Sequence, residues 1–273
     1  MTAAEPAIRP PAVAGSFYPG ATDVLAETVD RLLDDAVGRT GPAGAQPVRG
    51  VVVPHAGYVY SGPIAATAYA SLAASVPDPS SVIVLGPSHF EPLRGLAAAP
   101  HKAWQTPLGV VGLDSDARRT FVRAGAKVDE RVHRSEHSLE VQVPFLQRCF
   151  PGVPLLPLAV GGGSPAAGAE VLAAALPTDA VVVISTDLSH YHDAETARRL
   201  DARTTATIEA LAVDDLGYDD ACGADALRLG MAWAKEMGWR IRVLDLRNSA
   251  DTAGDPARVV GYGAFAVEGG SGV

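Results

Sequence analysis

Three short apolar runs stand out in the hydrophobic pattern of the chain, and polar residues follow each of them. The runs cover residues 48–53, 82–85 and 180–184 and consist mainly of valine, isoleucine and leucine. Runs of this length, rich in β-branched residues, are typical of strands buried on both faces of a sheet. We therefore predict three inner strands, each ending beside a cluster of polar side chains.

The rest of the pattern alternates between helix and strand. A first helix is predicted from a cap at Thr22 or Asp23 to a stop at Gly38, and Pro144 is expected to kink or divide a later one. The other predicted helices cover 62–74, 115–124, 138–150, 165–176, 194–211 and 224–237, and the other predicted strands cover 109–113, 155–160, 241–246 and 259–267.

This alternation predicts the α/β class. We expect one three-layer domain over residues 1–273, with a central mixed, largely parallel sheet flanked by helices. The ends, 1–12 and 269–273, are expected to be flexible, and the longest linker is the stretch rich in Gly, Pro and Ala at 38–47.

Composition narrows the classes of function. The 273 residues carry a net charge of −9, which argues against nucleic acid as the main partner. The two cysteines are too few for a disulfide framework and fit a reducing compartment. The start of the chain does not resemble a signal peptide, and no apolar stretch is long enough to span a membrane, so a cytoplasmic location is expected.

The first two apolar runs lead to His55 and His89. In parallel α/β sheets the carboxyl ends of the strands form the crevice that binds ligands. On neighbouring strands, about 4.8 Å apart, the two imidazoles would lie within reach of one metal ion. Residues 61–62 would open a helix whose N–H groups could receive an anion. The alternative is that each histidine is simply bonded to the backbone.

The third run leads to Asp187 and His190. Asp187 could accept the ring proton of His190 and so orient it as an acid or base. The alternative is that Asp187 caps the following helix. We assign His192, at the start of that helix, to the surface.

His137 and Glu140 lie three residues apart in 136–140. On one face of a helix this spacing suits metal ligation, but it equally suits a capping box at a helix start. The sequence does not distinguish the two. We assign His101 and His133 to the surface.

Cys222 precedes a predicted helix, where the helix dipole would favour the metal-binding thiolate. A buried, inert cysteine is the alternative. That second description is our expectation for Cys149.

Six segments, taken in order, resemble the Memo family, known in bacteria and archaea as AmmeMemoRadiSam system protein B. They span nearly the whole chain: 13–19, 54–58 with 61–62, 86–89, 136–140, 187–191 and 222–223. The resemblance implies a fold similar to class III extradiol dioxygenases, with a single pocket at the strand ends.

The resemblance also implies a ligand set. A mononuclear metal would be held by His55, His89 and Cys222, with His190 as a nearby acid or base and Asp187 beside it. Those dioxygenases have a glutamate where this chain has Cys222, and a thiolate is softer and also suits copper. His137, Glu140, Tyr58 and Ser88 match the family pattern as residues of the pocket or its surroundings.

Three hypotheses follow. The favoured one is a redox protein with Fe(II) or copper, acting on a small aromatic substrate. The second is a module that binds a peptide segment or the radical-SAM and Amme-domain partners that the family name implies. The third is a zinc hydrolase with Glu140 or Asp187 as base. Four aromatic residues are candidates for lining the pocket: Tyr18, Tyr58, Phe90 and Trp104.

Overall fold

A mixed nine-stranded sheet lies at the centre of the computed structural model, which describes residues 7–37 and 47–269. The described strands are β1 (Ile8–Arg9), β2 (Val48–Val53), β3 (Val82–Pro87), β4 (Gly95–Ala98), β5 (Ala103–Thr106), β6 (Gly109–Gly112), β7 (Lys127–Val128), β8 (Leu155–Gly161), β9 (Val181–Ser185), β10 (His190–His192), β11 (Arg240–Asn248) and β12 (Val259–Glu268). The described α-helices are α1 (Thr22–Val37), α2 (Tyr58–Ser75), α3 (Ser115–Arg123), α4 (Arg131–Arg134), α5 (Val143–Cys149), α6 (Pro165–Ala175), α7 (Ala194–Glu209) and α8 (Ala224–Glu236).

The strand order of the large sheet is β10-β12-β2-β9-β3-β8-β4-β7, and β11 also pairs with β12. The inner strands β2, β9, β3 and β8 run parallel, whereas β12 joins β2 and β4 joins β8 in antiparallel fashion. The predicted mixed α/β class is confirmed. Parallel pairing is less extensive than predicted, because the outer long strands return as hairpins or antiparallel edges. A separate small sheet has the order β1-β5-β6.

Helices cover both faces of the sheet, as residues of β2 illustrate. Val51 and Val53 pack into one apolar cluster with α1, α2 and α5. Val52, between them, packs into a second cluster with residues of α3, α6, α7 and α8. Successive side chains of a strand point to opposite faces, so an unbroken valine run serves two cores at once. This is the layering that the apolar runs predicted.

The structure corrects one predicted helix boundary and confirms another. Helix α2 begins at Tyr58, where the Gly57 carbonyl accepts the N–H groups of Tyr60 and Ser61, so residues 61–62 lie inside the helix and cannot form its N-terminal anion site. The predicted break near Pro144 is confirmed, since a short 3-10 turn (Glu140–Gln142) leads into α5. Missed elements such as β7 and α4 are only two to four residues long and have no periodic pattern.

The expected flexible N-terminus is wrong for residues 7–12. Arg9 is 2% exposed, and its guanidinium donates to the carboxylate of Glu140 and to the carbonyls of His133 and Glu136. These bonds anchor β1 to the domain. Gly38 and the predicted linker lie, apart from Pro47, outside the described residues, as do 1–6 and 270–273. Gly269, placed in the flexible C-terminal end, donates its N–H to the Pro47 carbonyl.

Membrane insertion has no support among the described helices. None of those in 7–37 and 47–269 combines the length and the apolar character that crossing a bilayer requires.

Candidate metal site

The order of strands in the sheet brings three loops together. His55, Asp187 and His89 each lie two residues beyond the end of their strands, β2, β9 and β3. β9 lies between β2 and β3, so the expectation that the two histidines follow adjacent strands is wrong; the chain returns later to insert β9. The rings of His55 and His89 nevertheless approach to 5.3 Å between centroids.

His55 lies at the centre of the site and is 2% exposed. Its backbone N–H donates to Asp187 Oδ1 at 2.7 Å, and its Nδ1 lies 3.0 Å from Ser185 Oγ. Its Nε2 lies 3.2 Å from Cys222 Sγ and 4.0 Å from Asp187 Oδ2. Burial and then the charge of His89 lower the pKa of His55 to about 3. The ring is therefore neutral near pH 7, which is the form that ligates metals.

His89 is oriented by Glu136. Glu136 Oε1 lies 2.9 Å from His89 Nδ1, and Oε2 accepts the backbone N–H of His89 at 2.6 Å. His137 stacks on His89 with 4.8 Å between ring centroids and lies 5.4 Å from His55. Burial and the charge of His55 lower the pKa of His137 to about 4. Three imidazoles therefore meet beside the carboxylate of Glu136.

Cys222 enters from the loop before α8. Its sulfur accepts the backbone N–H of Asp187 at 3.3 Å. Burial and then the Asp187 carboxylate raise the pKa of the thiol to about 12. Burial therefore opposes the thiolate that the position before a helix was expected to favour. A bound metal ion would displace the proton.

Two overlapping groups of ligand atoms result, and they share His55. In the described residues, one group is His55, His89 and His137, the other is His55, Asp187 and Cys222, and the ligand atoms within each lie within 4.8 Å of one another. The ligand set implied by the resemblance takes His89 from the first group and Cys222 from the second. Imidazole, thiol and carboxylate donors fit iron, copper or zinc.

A cavity of about 580 Å³ opens over these ligand atoms. This volume lies in the range of small-molecule sites. Residues that line it include His190 and the six-residue set Phe17, Tyr60, Tyr191, Asp255, Arg258 and Tyr262. The wall is thus aromatic, with one arginine.

His190 does not pair with Asp187 in the expected way. Its Nδ1 lies 2.8 Å from the Leu188 carbonyl, which leaves Nε2 available to the cavity. Asp187 is engaged by His55 and the Cys222 region instead. Asp187 is not a helix cap either, because Asp193 caps α7.

Three of the residues matched to the family pattern lie away from the cavity. Tyr58 donates its hydroxyl to the Val141 carbonyl in the core, and Ser88 donates to the Glu91 carbonyl. Glu140 is bound to Arg9 and does not share a helical face with His137, because the helical turn begins only at Glu140. His137 does line the cavity.

Of the remaining aromatic residues, histidines and cysteine singled out in the sequence, some are buried and others are exposed. Tyr18 and Trp104 are buried in the core, and neither lines the cavity; Phe90 is exposed, with its ring 6.0 Å from that of His137. His101 and His133 are buried rather than on the surface; His133 Nε2 lies 2.9 Å from the Ala97 carbonyl. The surface position of His192 is confirmed. Cys149 is half-buried, and burial raises the pKa of its thiol to about 12, in keeping with an inert residue.

Sequence reasoning missed Glu136 and Arg258 as site residues. Glu136 directly precedes His137 in the segment 136–140, but nothing in the sequence indicates that it reaches back to His89. Arg258 lies in a loop before β12, where no strand-end pattern draws attention to it.

Comparison with known proteins gives the family. A model of the family described as Memo-like protein matches residues 9–266. The chain belongs to the Memo family. A MEMO1 family protein of Thermotoga maritima is 37% identical, over 93% of this chain and 97% of its own length. MEMO1 family proteins of Nitrosopumilus maritimus and Methanosarcina mazei are each 34% identical, with coverage of 94% and 96% of this chain and 98% and 99% of their own lengths.

Proposed function

We propose that this member of the Memo family binds one metal ion, iron or copper, through His55, His89 and Cys222, and uses it for redox chemistry. The observation that carries the proposal is the convergence of two groups of ligand atoms on His55 beneath a cavity. A fold similar to the extradiol dioxygenases is part of the same proposal. The thiol in place of their glutamate favours a redox role without carrying over their reaction.

The surrounding residues prepare the ligands in distinct ways. His55 is neutral because it is buried, and Ser185 fixes its ring through Nδ1. Glu136 holds the ring of His89 through Nδ1, which directs Nε2 toward a metal and raises its basicity. The backbone N–H of Asp187 stabilises negative charge on the Cys222 sulfur. Iron or copper bound here would supply one-electron chemistry.

His190 is the proposed acid or base. The Leu188 carbonyl accepts a hydrogen bond from Nδ1, which makes Nε2 the nitrogen that takes up or releases a proton. His190 lines the same cavity as the proposed ligands, so that proton would be exchanged with a molecule bound there.

The test is elemental analysis with parallel EPR on protein purified anaerobically and without a metal-affinity tag. The native chain and Cys149→Ser should hold near-stoichiometric iron or copper, and Cys222→Ser should lose it. Zinc in all three proteins would favour the hydrolase hypothesis instead. No metal in any of them, even after reconstitution, would contradict the proposal and favour a binding module.

A further inference from the structure

Arg258 is the one arginine or lysine among the described residues that line the cavity. Its guanidinium carbon lies 4.4 Å from the centroid of the Tyr191 ring. Within 7–37 and 47–269 its side chain makes neither a hydrogen bond nor an ion pair. Asp255, the nearest acid along the loop, uses Oδ1 to accept the Ala257 N–H. The donors of Arg258 are therefore available to a molecule in the cavity.

Tyr191 is held in place by an unusual backbone. Its φ is 66°, a left-handed conformation that strains the backbone of a non-glycine residue. The pairing of β10 with β12 also shifts register between His190 and His192, so a bulge lies at Tyr191. Bulges redirect side chains beside functional sites. The Tyr191 ring, against which the guanidinium of Arg258 lies, is thus at the position of this bulge.

The remaining wall is suited to a ring. Tyr60, Tyr262 and Phe17 line the same cavity as Arg258. Aromatic side chains of this kind pack against a planar ligand face to face or edge to face. The volume of about 580 Å³ accommodates a single substituted ring beside the proposed ligands.

The planar, positively charged guanidinium of Arg258 is complementary to a planar, negatively charged acceptor. Arginine binds carboxylates through two parallel N–H bonds, and its stacking on a tyrosine fixes the plane of those donors. We infer that the cavity binds an aromatic carboxylate, whose carboxylate group is held by Arg258 and whose ring lies among the aromatic side chains. The inference rests on the proposed function in one respect: it takes this cavity as the site.

The experiment measures a preference that does not depend on the metal. Isothermal titration calorimetry compares 4-hydroxybenzoate with its neutral amide, 4-hydroxybenzamide, on chelator-treated and on metal-loaded full-length protein. The native chain should bind the acid about tenfold more tightly than the amide in both forms. Arg258→Gln should bring the ratio close to one and leave amide binding unchanged. Arg258→Lys, which keeps the charge but not the two parallel N–H donors, should give an intermediate ratio.

Arg123→Gln is the matched control, since Arg123 is exposed on α3 and its loss removes the same charge. It should leave the ratio unchanged. An equal ratio in the native chain and Arg258→Gln would overturn the inference. So would no binding of either probe, or tighter binding of phenyl phosphate than of the acid. A protein that binds no metal but keeps the preference would contradict the proposed function alone, and metal binding with a ratio of one would contradict this inference alone.

Discussion

The carboxylate of Glu136 makes two contacts with His89: Oε2 accepts the backbone N–H at 2.6 Å, and Oε1 lies 2.9 Å from ring Nδ1. Burial by itself would raise the pKa of Glu136, but the hydrogen bond and charge of His89 lower it to about 2. Glu136 therefore stays ionised in the interior. A single buried carboxylate sets both the position and the ring orientation of a proposed ligand that follows β3.

Glu136→Gln should weaken metal binding without removing a ligand. The amide keeps the size of the side chain but loses the charge that raises the basicity of His89, so affinity should fall about 10- to 100-fold. Competition with a chromophoric chelator measures this. Glu27→Gln, at an exposed position of α1, is the control for charge. Unchanged affinity in Glu136→Gln would mean that His89 is not a ligand.

Gly223→Ala should displace Cys222. A Cβ at Gly223 would lie 2.8 Å from the Ser185 carbonyl and 2.8 Å from Thr186 Cβ, so the loop must move away from β9. We expect a loss of metal affinity of about tenfold or more, with about 1–3 kcal/mol of destabilisation. Gly112→Ala is the matched control, since a Cβ there meets nothing within 4 Å. Affinity equal to that of the native chain would show that the Cys222 loop tolerates the shift.

Glu140 should prove structural. It accepts hydrogen bonds from Arg9, from the hydroxyl of Tyr18 and from the N–H groups of Ala12 and Val13. Glu140→Ala leaves the Arg9 charge buried and unpaired, so the free energy of unfolding should fall by about 3–5 kcal/mol. Urea denaturation measures this.

The control for Glu140 is the exposed pair Arg148–Asp30, where Asp30→Ala should cost less than about 1 kcal/mol. Folded Glu140→Ala should still bind metal, because Glu140 does not line the cavity. Loss of metal from folded Glu140→Ala protein would mean that Glu140 contributes to metal binding.

His133 should make stability fall in mild acid. Burial lowers its pKa from 6.5 to about 4, so between these values the unfolded chain binds a proton that the folded chain does not. The contribution of His133 to stability is fully present only above about pH 6.5. Protonation of this residue in the unfolded chain should lower the free energy of unfolding by about 2 kcal/mol between pH 7 and pH 5. Denaturation at both values, with His133→Gln, measures the effect: the variant should lose that part of the pH dependence, whereas His192→Gln should keep all of it.

The sequence predicted what depends on local pattern. The valine run of β2, the break before Pro144 and the polar residues after each inner strand all follow from spacing and residue type. Contacts between distant segments were not predictable in this way. The position of β9 between β2 and β3 and the ion pair of Arg9 with Glu140 both depend on tertiary structure. The surface position predicted for His133 is wrong, because the residues next to it in the sequence give no sign that it is buried.

Cys222 follows His55 by 167 residues, and β12, at the end of the described chain, pairs with β2 near its beginning. Neither the proposed ligand set nor the sheet around it can close during synthesis until the segments that carry Cys222 and β12 have been made. Binding of an ion by all three proposed ligands is thereby deferred until those segments have left the ribosome, and a chain terminated shortly before Cys222 would have His55 and His89 but not the third proposed ligand.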